Sequence, residues 1–401
     1  MNTLIRITAR DPVVSRDGRP FGAGQGRRMR STGWPLPGMV AGSFRTTLAK
    51  AAGQAFTGTL PADLLKCIAV HGLFPITVVD KELYLPAPAD ALHREGENQP
   101  LRALPRELEG GCDWPGGAKL LPVMPDLADD ADDFKPAPAA KTPAFWPLSA
   151  FEKWLRGENV TFDYTFLMAP EADTRDHVAM NDERGAAADG LLFTTTGLVL
   201  THLRRYGVGA DRPFAERYAE ITLSSRVTID PPLPWAEAAL AKLGTVHPLG
   251  GERRLVGWAA AGEDWSRAAG VTPAPAAANN GVTMTLVTPA VFAGGWQPGW
   301  LDASLSGTPP WGGPRLTLVG VCIGRWKAVS GWAMQPQRHP TDPSKAVPPG
   351  PKPVKRYVPA GGVYFFECES PGDMATGWLR PVSDDEQDRR DGYGLAAWGG
   401  W

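Results

Sequence analysis

The sequence predicts an α+β protein of two domains, each a small antiparallel sheet with helices on one face. Three observations carry this. Alternating, strand-like stretches outnumber helix-period stretches, and both kinds are mixed through the two halves. A chain of 401 residues allows two or three domains, at roughly 150 residues each. The 46 glycines and 40 prolines demand many turns and long loops.

Residues 3–9 alternate around Ile5, Ile7 and Thr8 and form the first strand. Residues 38–52 form a helix with Met39, Val40, Phe44 and Leu48 on one side, Pro35 and Pro37 before it and Gly53 after it. Residues 73–85 read as a hairpin turning at Asp80-Lys81. Residues 86–147, rich in proline and glycine and holding the acidic run 126–133, read as a long irregular insertion, partly mobile. A short helix over 148–156 starts at Ser149 as cap, and 160–168 is a strand. The polar tip between two β segments in 175–203 marks a protruding hairpin. Strands follow at 216–230, 252–260, 281–288, 315–327 and 361–368, with a helix at 234–243. Residues 335–359 form a proline-rich basic loop, and the chain ends GYGLAAWGGW. The resulting division is 1–172, a hairpin 173–197, and 198–401. No sequence repeat relates the halves.

Charge is distributed unevenly. The first fifty residues hold nine Lys/Arg against two Asp/Glu, whereas the whole chain sums to −2. Eight of the nine are arginines, whose planar forks suit phosphate. Arg16, Arg19, Arg27, Arg28 and Arg30 lie in a glycine-rich stretch with Trp34, which leads into Gly38 and Arg45 of the helix. A strand, a glycine-arginine loop and a helix N-terminus together suit a polyanion. RNA is the leading candidate; a solvated arginine face is the plainer alternative. With a pI near 6.3, binding must come from a local patch.

Chemistry-bearing motifs are scarce. There is no P-loop, GxSxG or HExxH, and GAGQGR at 22–27 has Arg27 where a dinucleotide fingerprint needs glycine. Cys67, Cys112, Cys322 and Cys368 form no CxxC pair, which points to reduced thiols and no zinc site. The six histidines show no metal spacing, though any one is a candidate general acid or base for RNA cleavage. No cofactor or metal is expected. No segment reaches the apolar length of a membrane span, and the N-terminal stretch is too short and interrupted for a signal peptide, so a cytoplasmic protein is expected. Four further segments stand out: HPLGGERR (247–254) with Gly250, Gly251, Arg253 and Arg254; VTPAVFAGGWQPGW (287–300); RYVPAGGVYFFE (356–367), preceded by Lys355 and opening with Arg356; and DGYGLAAWGGW (391–401) with Gly392 and Gly394. Each also reads as ordinary turn, packing or core-strand sequence.

In order, DPVVSRDGRPFG, WPLPGMVAGSFRTTL, ADGLLFTT, HPLGGERRLV, VTPAVFAGGWQP, GRWKAVSGW, KRYVPAGGVYFFE and DGYGLAAWGGW run collinearly from residue 11 to the C-terminus. In this series the chain resembles the third subunit of the Cmr (type III-B) CRISPR RNA-guided complex, a RAMP-superfamily protein related to the subunits that cap the guide RNA 5′ end. The resemblance implies two ferredoxin-like (RRM-related) domains and a β-hairpin thumb. It implies no nuclease activity, binding of the repeat-derived 5′ handle of the CRISPR RNA, docking on the large polymerase-like subunit, and contact with a backbone RAMP subunit. The thumb candidate carries Arg175, His177 and Arg184 beside five acidic residues, and Met180 at its tip becomes a wedge near the guide–target junction. Two other readings stand beside this one: a metal-independent endoribonuclease using His71, His177 or His247, and a scaffold that binds only proteins.

Overall fold

The computed structural model describes residues 2–17, 27–29, 31–54, 62–77, 81–107, 120–125, 135–138, 141–163, 165–203, 218–261, 280–333, 336–338, 342, 344–370, 374 and 376–401. It is a mixed α/β structure, mostly strands with few helices. The main elements are β1 (Asn2–Ala9), α1 (Pro37–Ala51), β2 (Ile68–Thr77), α2 (Leu148–Leu155), β3 (Glu171–Asn181), β4 (Ala186–Val199), β5 (Tyr218–Ile229) and α3 (Pro234–Ala241). They continue with β6 (Gly244–Pro248), β7 (Leu255–Ala261), β8 (Gly281–Leu286), β9 (Leu316–Cys322), β10 (Val363–Cys368), α4 (Glu386–Arg390) and β11 (Leu395–Gly400).

Two antiparallel sheets organise the chain. The first runs β2–β5–β1–β7–β6, with Ile5 opposite Ser225 and Ile7 between Leu223 and Trp258. The second runs β9–β10–β8–β11. Numbered in chain order, the four principal strands of each sheet lie second–third–first–fourth. The halves share a topology that no sequence repeat announces. They differ in their crossings: α1 follows the first strand of the N-terminal sheet, whereas 287–315 link β8 to β9 without a helix among the described residues. Pro289, Pro298, Pro309, Pro310 and Pro314 in that link remove the amide donors a helix needs.

α1 forms because its apolar residues recur at helical spacing and Pro37 sits in its first turn, where a missing N–H costs nothing. Val40, Phe44 and Leu48 are fully buried against Ile5, Ile7, Val70 and Trp258. The opposite face of the sheet is covered too: Leu4, Phe74 and Ile76 pack on Leu85, Trp146, Phe151 and Trp154. The expectation of helices on one face therefore understates the burial.

Several local expectations are corrected. The hairpin expected over 73–85 closes on an antiparallel bridge of Ile76 with Leu83, with Thr77 N–H donating to Glu82 O at 3.2 Å; its second arm continues into 84–86, which pairs with 145–147, while the long ladder of β2 is with β5. The described residues of 160–168 make one bridge, Phe145 with Leu167, instead of a strand. Phe162 and Phe166 there turn edge-on to Trp146, at 5.4 and 5.7 Å between centroids, and burial of that aromatic cluster outweighs strand propensity. Ser149 lies inside α2 and does not cap it; its N–H faces the Glu82 carboxylate at 3.4 Å. The described part of the 86–147 insertion is ordered: 91–92, 101–105 and 123–125 form a small sheet, and Leu121 N–H donates to Val319 O at 2.8 Å. The acidic run 126–133 and Cys112 lie outside the described residues.

The expected hairpin is β3–β4, turning at 182–185. A second ribbon replaces the expected loop at 335–359. Residues 327–329 pair with 355–357, 332–333 with 350–351, and 337–338 with 346–347, all antiparallel. No described helix is long and apolar enough to cross a membrane.

Candidate nucleic-acid interface

Three remote segments meet at the root of the β3–β4 hairpin. Val13 exchanges backbone hydrogen bonds with Leu198 at 2.9 and 2.8 Å, and Val14 O accepts from Gly251 N–H at 2.8 Å. Thr32 N–H donates to Ser15 O at 2.8 Å, and its hydroxyl bonds the Ser15 hydroxyl at 2.7 Å, both buried. Ser31 Oγ donates to Thr196 O. Arg27–Arg28 run parallel to β4 beside Phe193 and Thr194, and Met29 N–H donates to Thr194 O at 2.9 Å. The basic segment is thus stitched to the hairpin as an extra edge strand, with exposed Arg16 next to it. Arg19 and Arg30 lie outside the described residues, as do the side chains of Arg27 and Arg28.

The Gly250 turn closes this cluster. Gly250 has φ of +79°, and a Cβ there would stand 2.2 Å from Val14 O. Only glycine permits that approach. Glu252 and exposed Arg253 follow at φ of +55° and +51°, conformations that cost a non-glycine residue roughly 1–2 kcal/mol each. Arg254 is half-buried, with a buried Nε that has no hydrogen-bond partner.

On the hairpin, Val178 opposes Leu192, and Met180 lies two residues on, on the same face. The three are 47, 51 and 56% exposed. Arg175 pairs with Asp173 at 2.7 Å, His177 stacks on Phe193 and contacts Thr195 Oγ1 at 2.8 Å, and Arg184 sits exposed in the turn.

Other expected contacts turn inward. Arg45 is buried; its Nε donates to Ile68 O at 2.9 Å and its guanidinium meets Asp391 at 2.6 Å. Gly38, the expected phosphate seat at the helix start, is covered by Tyr393: a Cβ there would stand 3.2 Å from its hydroxyl and 3.3 Å from its ring. Gly392 abuts Val70 O, where a Cβ would stand at 2.5 Å, and Gly394 packs on Ser383. The terminal DGYG segment thus ties β11 to α1 and β2 and presents no free backbone. The reason is shared: a buried polar group needs a partner, and the tail supplies it. Trp34 donates to Leu73 O at 2.9 Å and packs 4.5 Å from Phe145, the packing role the sequence left open. It also lines a cleft of about 280 Å³ with Pro37, Pro289, Lys327 and Tyr357. Lys355 pairs with Asp388 at 2.8 Å, and the Arg356 guanidinium lies 4.7 Å over the exposed Trp326 ring.

The candidate catalytic histidines occupy three separate elements. His71 is half-buried beside Arg226, and desolvation first, then that cation, pushes its pKa down to about 3. His247, with Lys50 Nζ 3.3 Å from Nε2, is also shifted down, chiefly by burial. No group of three or more His, Cys, Asp or Glu among the described residues is arranged for a metal. From the sequence, 335–359 reads as a basic loop in contact with RNA or a neighbouring subunit; that reading missed that this stretch pairs with 327–333 as a ribbon carrying Trp326 and Trp332, because the prolines masked the strand alternation.

A stitched arginine segment and a glycine turn thus meet at the root of an exposed hairpin in a mixed, mostly β chain. The chain belongs to the family of the CRISPR-associated protein (Cas_Cmr3), whose model matches residues 5–401. It is therefore a Cmr-type, type III-B subunit. It is similar in structure to a chain of the type III-B Cmr-beta complex bound to cognate target RNA, with a TM-score of 0.47 and 12% identity over 98% of this chain and 96% of that one. A chain of the same complex with target RNA and AMPPnP gives 0.43 and 11%, over 90% and 86%. A chain of the Csm3-Csm4 subcomplex of the type III-A complex gives 0.39 and 9%, over 100% and 99%. No curated protein shows significant sequence similarity to the chain.

Proposed function

We propose that the protein is a non-catalytic subunit that holds the repeat-derived 5′ handle of the CRISPR RNA and docks on the large polymerase-like subunit and a backbone RAMP subunit, in the cytoplasm. The observation that carries this is the joining of Arg16, the Arg27–Arg28 strand and the Gly250–Arg254 turn at the hairpin root. Arginines held on a fixed backbone grip phosphates without paying much ordering entropy. The strand order second–third–first–fourth supports a ferredoxin-like reading of both sheets. Met180, with Val178 and Leu192, is an apolar hairpin face suited to wedge between nucleotides where guide and target begin to pair.

Replacing Arg16, Arg19, Arg27 and Arg28 together by alanine tests the handle site. Each single-strand phosphate contact contributes about 0.7 to the slope of log K against log salt. The variant is expected to bind guide RNA more weakly and with a flatter slope; unchanged affinity and slope remove this patch. The endoribonuclease alternative has its own test: specific cutting of repeat RNA in EDTA by the purified chain sinks the non-catalytic reading.

A further inference from the structure

Beyond Lys355, Arg356 and the cleft-lining Lys327 and Tyr357, the ribbon 325–357 takes no part in the hairpin-root site described above. Among the described residues its three strand pairs join no other sheet. At the root, Val329 and Tyr357 are buried with Leu36, Val291 and Tyr393, which fixes the ribbon beside the start of α1. Lys327 and Tyr357 line the same cleft as Trp34. Beyond the root the surface changes character. Trp332 is 64% exposed, Val354 58% and Trp326 50%.

Residues 325–357 hold seven Lys/Arg and one acid, Asp342, which is paired with Lys345. Arg325, Lys327 and Lys352 are exposed and form no ion pair among the described residues. Strand alternation puts Trp326, Ala328, Arg356 and Val354 on one face. We infer that this ribbon is a second single-stranded RNA contact, in which Trp326 and Trp332 stack bases and Lys327 and Lys352 neutralise phosphates.

Two exposed tryptophans six residues apart contribute little to folding where they stand. Separated by cations, they do not form the continuous apolar centre of a protein interface, which is also depleted in lysine. Aromatic platforms set among cations are what single strands bind, because every base has a π face. The guanidinium over Trp326 keeps that ring in place and leaves its other face to a base. Because the ribbon roots beside the Trp34 cleft, a strand leaving the arginine segment has a continuous path onto it.

This inference rests on the RNA-binding reading above. The test uses the full-length protein and two fluorescein-labelled probes, a guide RNA with its repeat-derived 5′ end and an unrelated A-rich 20-mer RNA. Trp326→Ala with Trp332→Ala is expected to weaken both by at least about fivefold per stacked base, while Trp326→Phe with Trp332→Phe retains most of the affinity. Lys327→Ala with Lys352→Ala is expected to lower the salt slope by about 1.4. Wild-type binding that is unchanged in all three variants overturns the ribbon contact and leaves the arginine site standing. Failure of the wild-type chain to bind either probe overturns both readings.

Discussion

Arg45 shows how a functional-looking residue becomes structural. Its sequence neighbourhood is basic and glycine-rich, yet the side chain reaches inward to Asp391, 346 positions away. Removing one partner of a largely buried pair strands the other charge, so Arg45→Ala is expected to cost about 3 kcal/mol in urea unfolding while RNA affinity per folded molecule stays unchanged. Gly250→Ala is a different case. The Cβ clash with Val14 O and the positive φ cost roughly 1–3 kcal/mol, and because the turn is displaced from the basic segment, RNA affinity falls as well. His71 sets a pH limit. Its folded-state pKa of about 3 lies below the unfolded value, so its contribution is complete above pH 6.5 and is lost as pH falls toward 3. A melting-temperature series over that range is expected to drop steeply for the native chain and less steeply for His71→Gln. Equal slopes would show that other groups govern the acid limb.

At the scale of elements, the hairpin and the ribbon separate stability from function. Met180 is mostly exposed, so Met180→Asp is expected to change stability by no more than about 0.5 kcal/mol, yet to weaken target-RNA capture by the assembled complex. A melting shift well beyond that would mean the tip packs on the body. The β3–β4 hairpin was legible because a polar tip between alternating segments is a local pattern. The ribbon was not: Pro336, Pro340, Pro343, Pro348, Pro349, Pro351 and Pro353 read as loop, while the pairing that makes it a ribbon joins residues up to thirty apart. α1 was read to within a residue because periodicity and proline agree there. Residues 160–168 were misread because their burial comes from Trp146, outside the segment.

For the whole molecule, the duplicated strand order explains the economy of the design. Two sheets of one topology are joined by the C-terminal DGYG segment, which places Tyr393 on α1, Asp391 on Arg45 and Gly392 on β2. The sequence marked Gly392 and Arg45, along with Gly38 and Gly394, as candidates for ligand contact; the fold uses them to hold the halves together. The backbone of the arginine segment, by contrast, joins the hairpin as an edge strand. The pairing of Arg27–Arg28 with β4 and of Val14 with the Gly250 turn was invisible to a local reading, because each contact spans more than 150 residues.

The most direct measurement is purification of the tagged protein from its native host, with sequencing of the RNA that accompanies it and identification of the bound proteins. The account predicts short RNAs sharing one repeat-derived 5′ end, together with a large polymerase-like subunit, and loss of those RNAs in the four-arginine variant. Unprocessed precursor RNA held by the protein alone, or no discrete RNA at all, would contradict it.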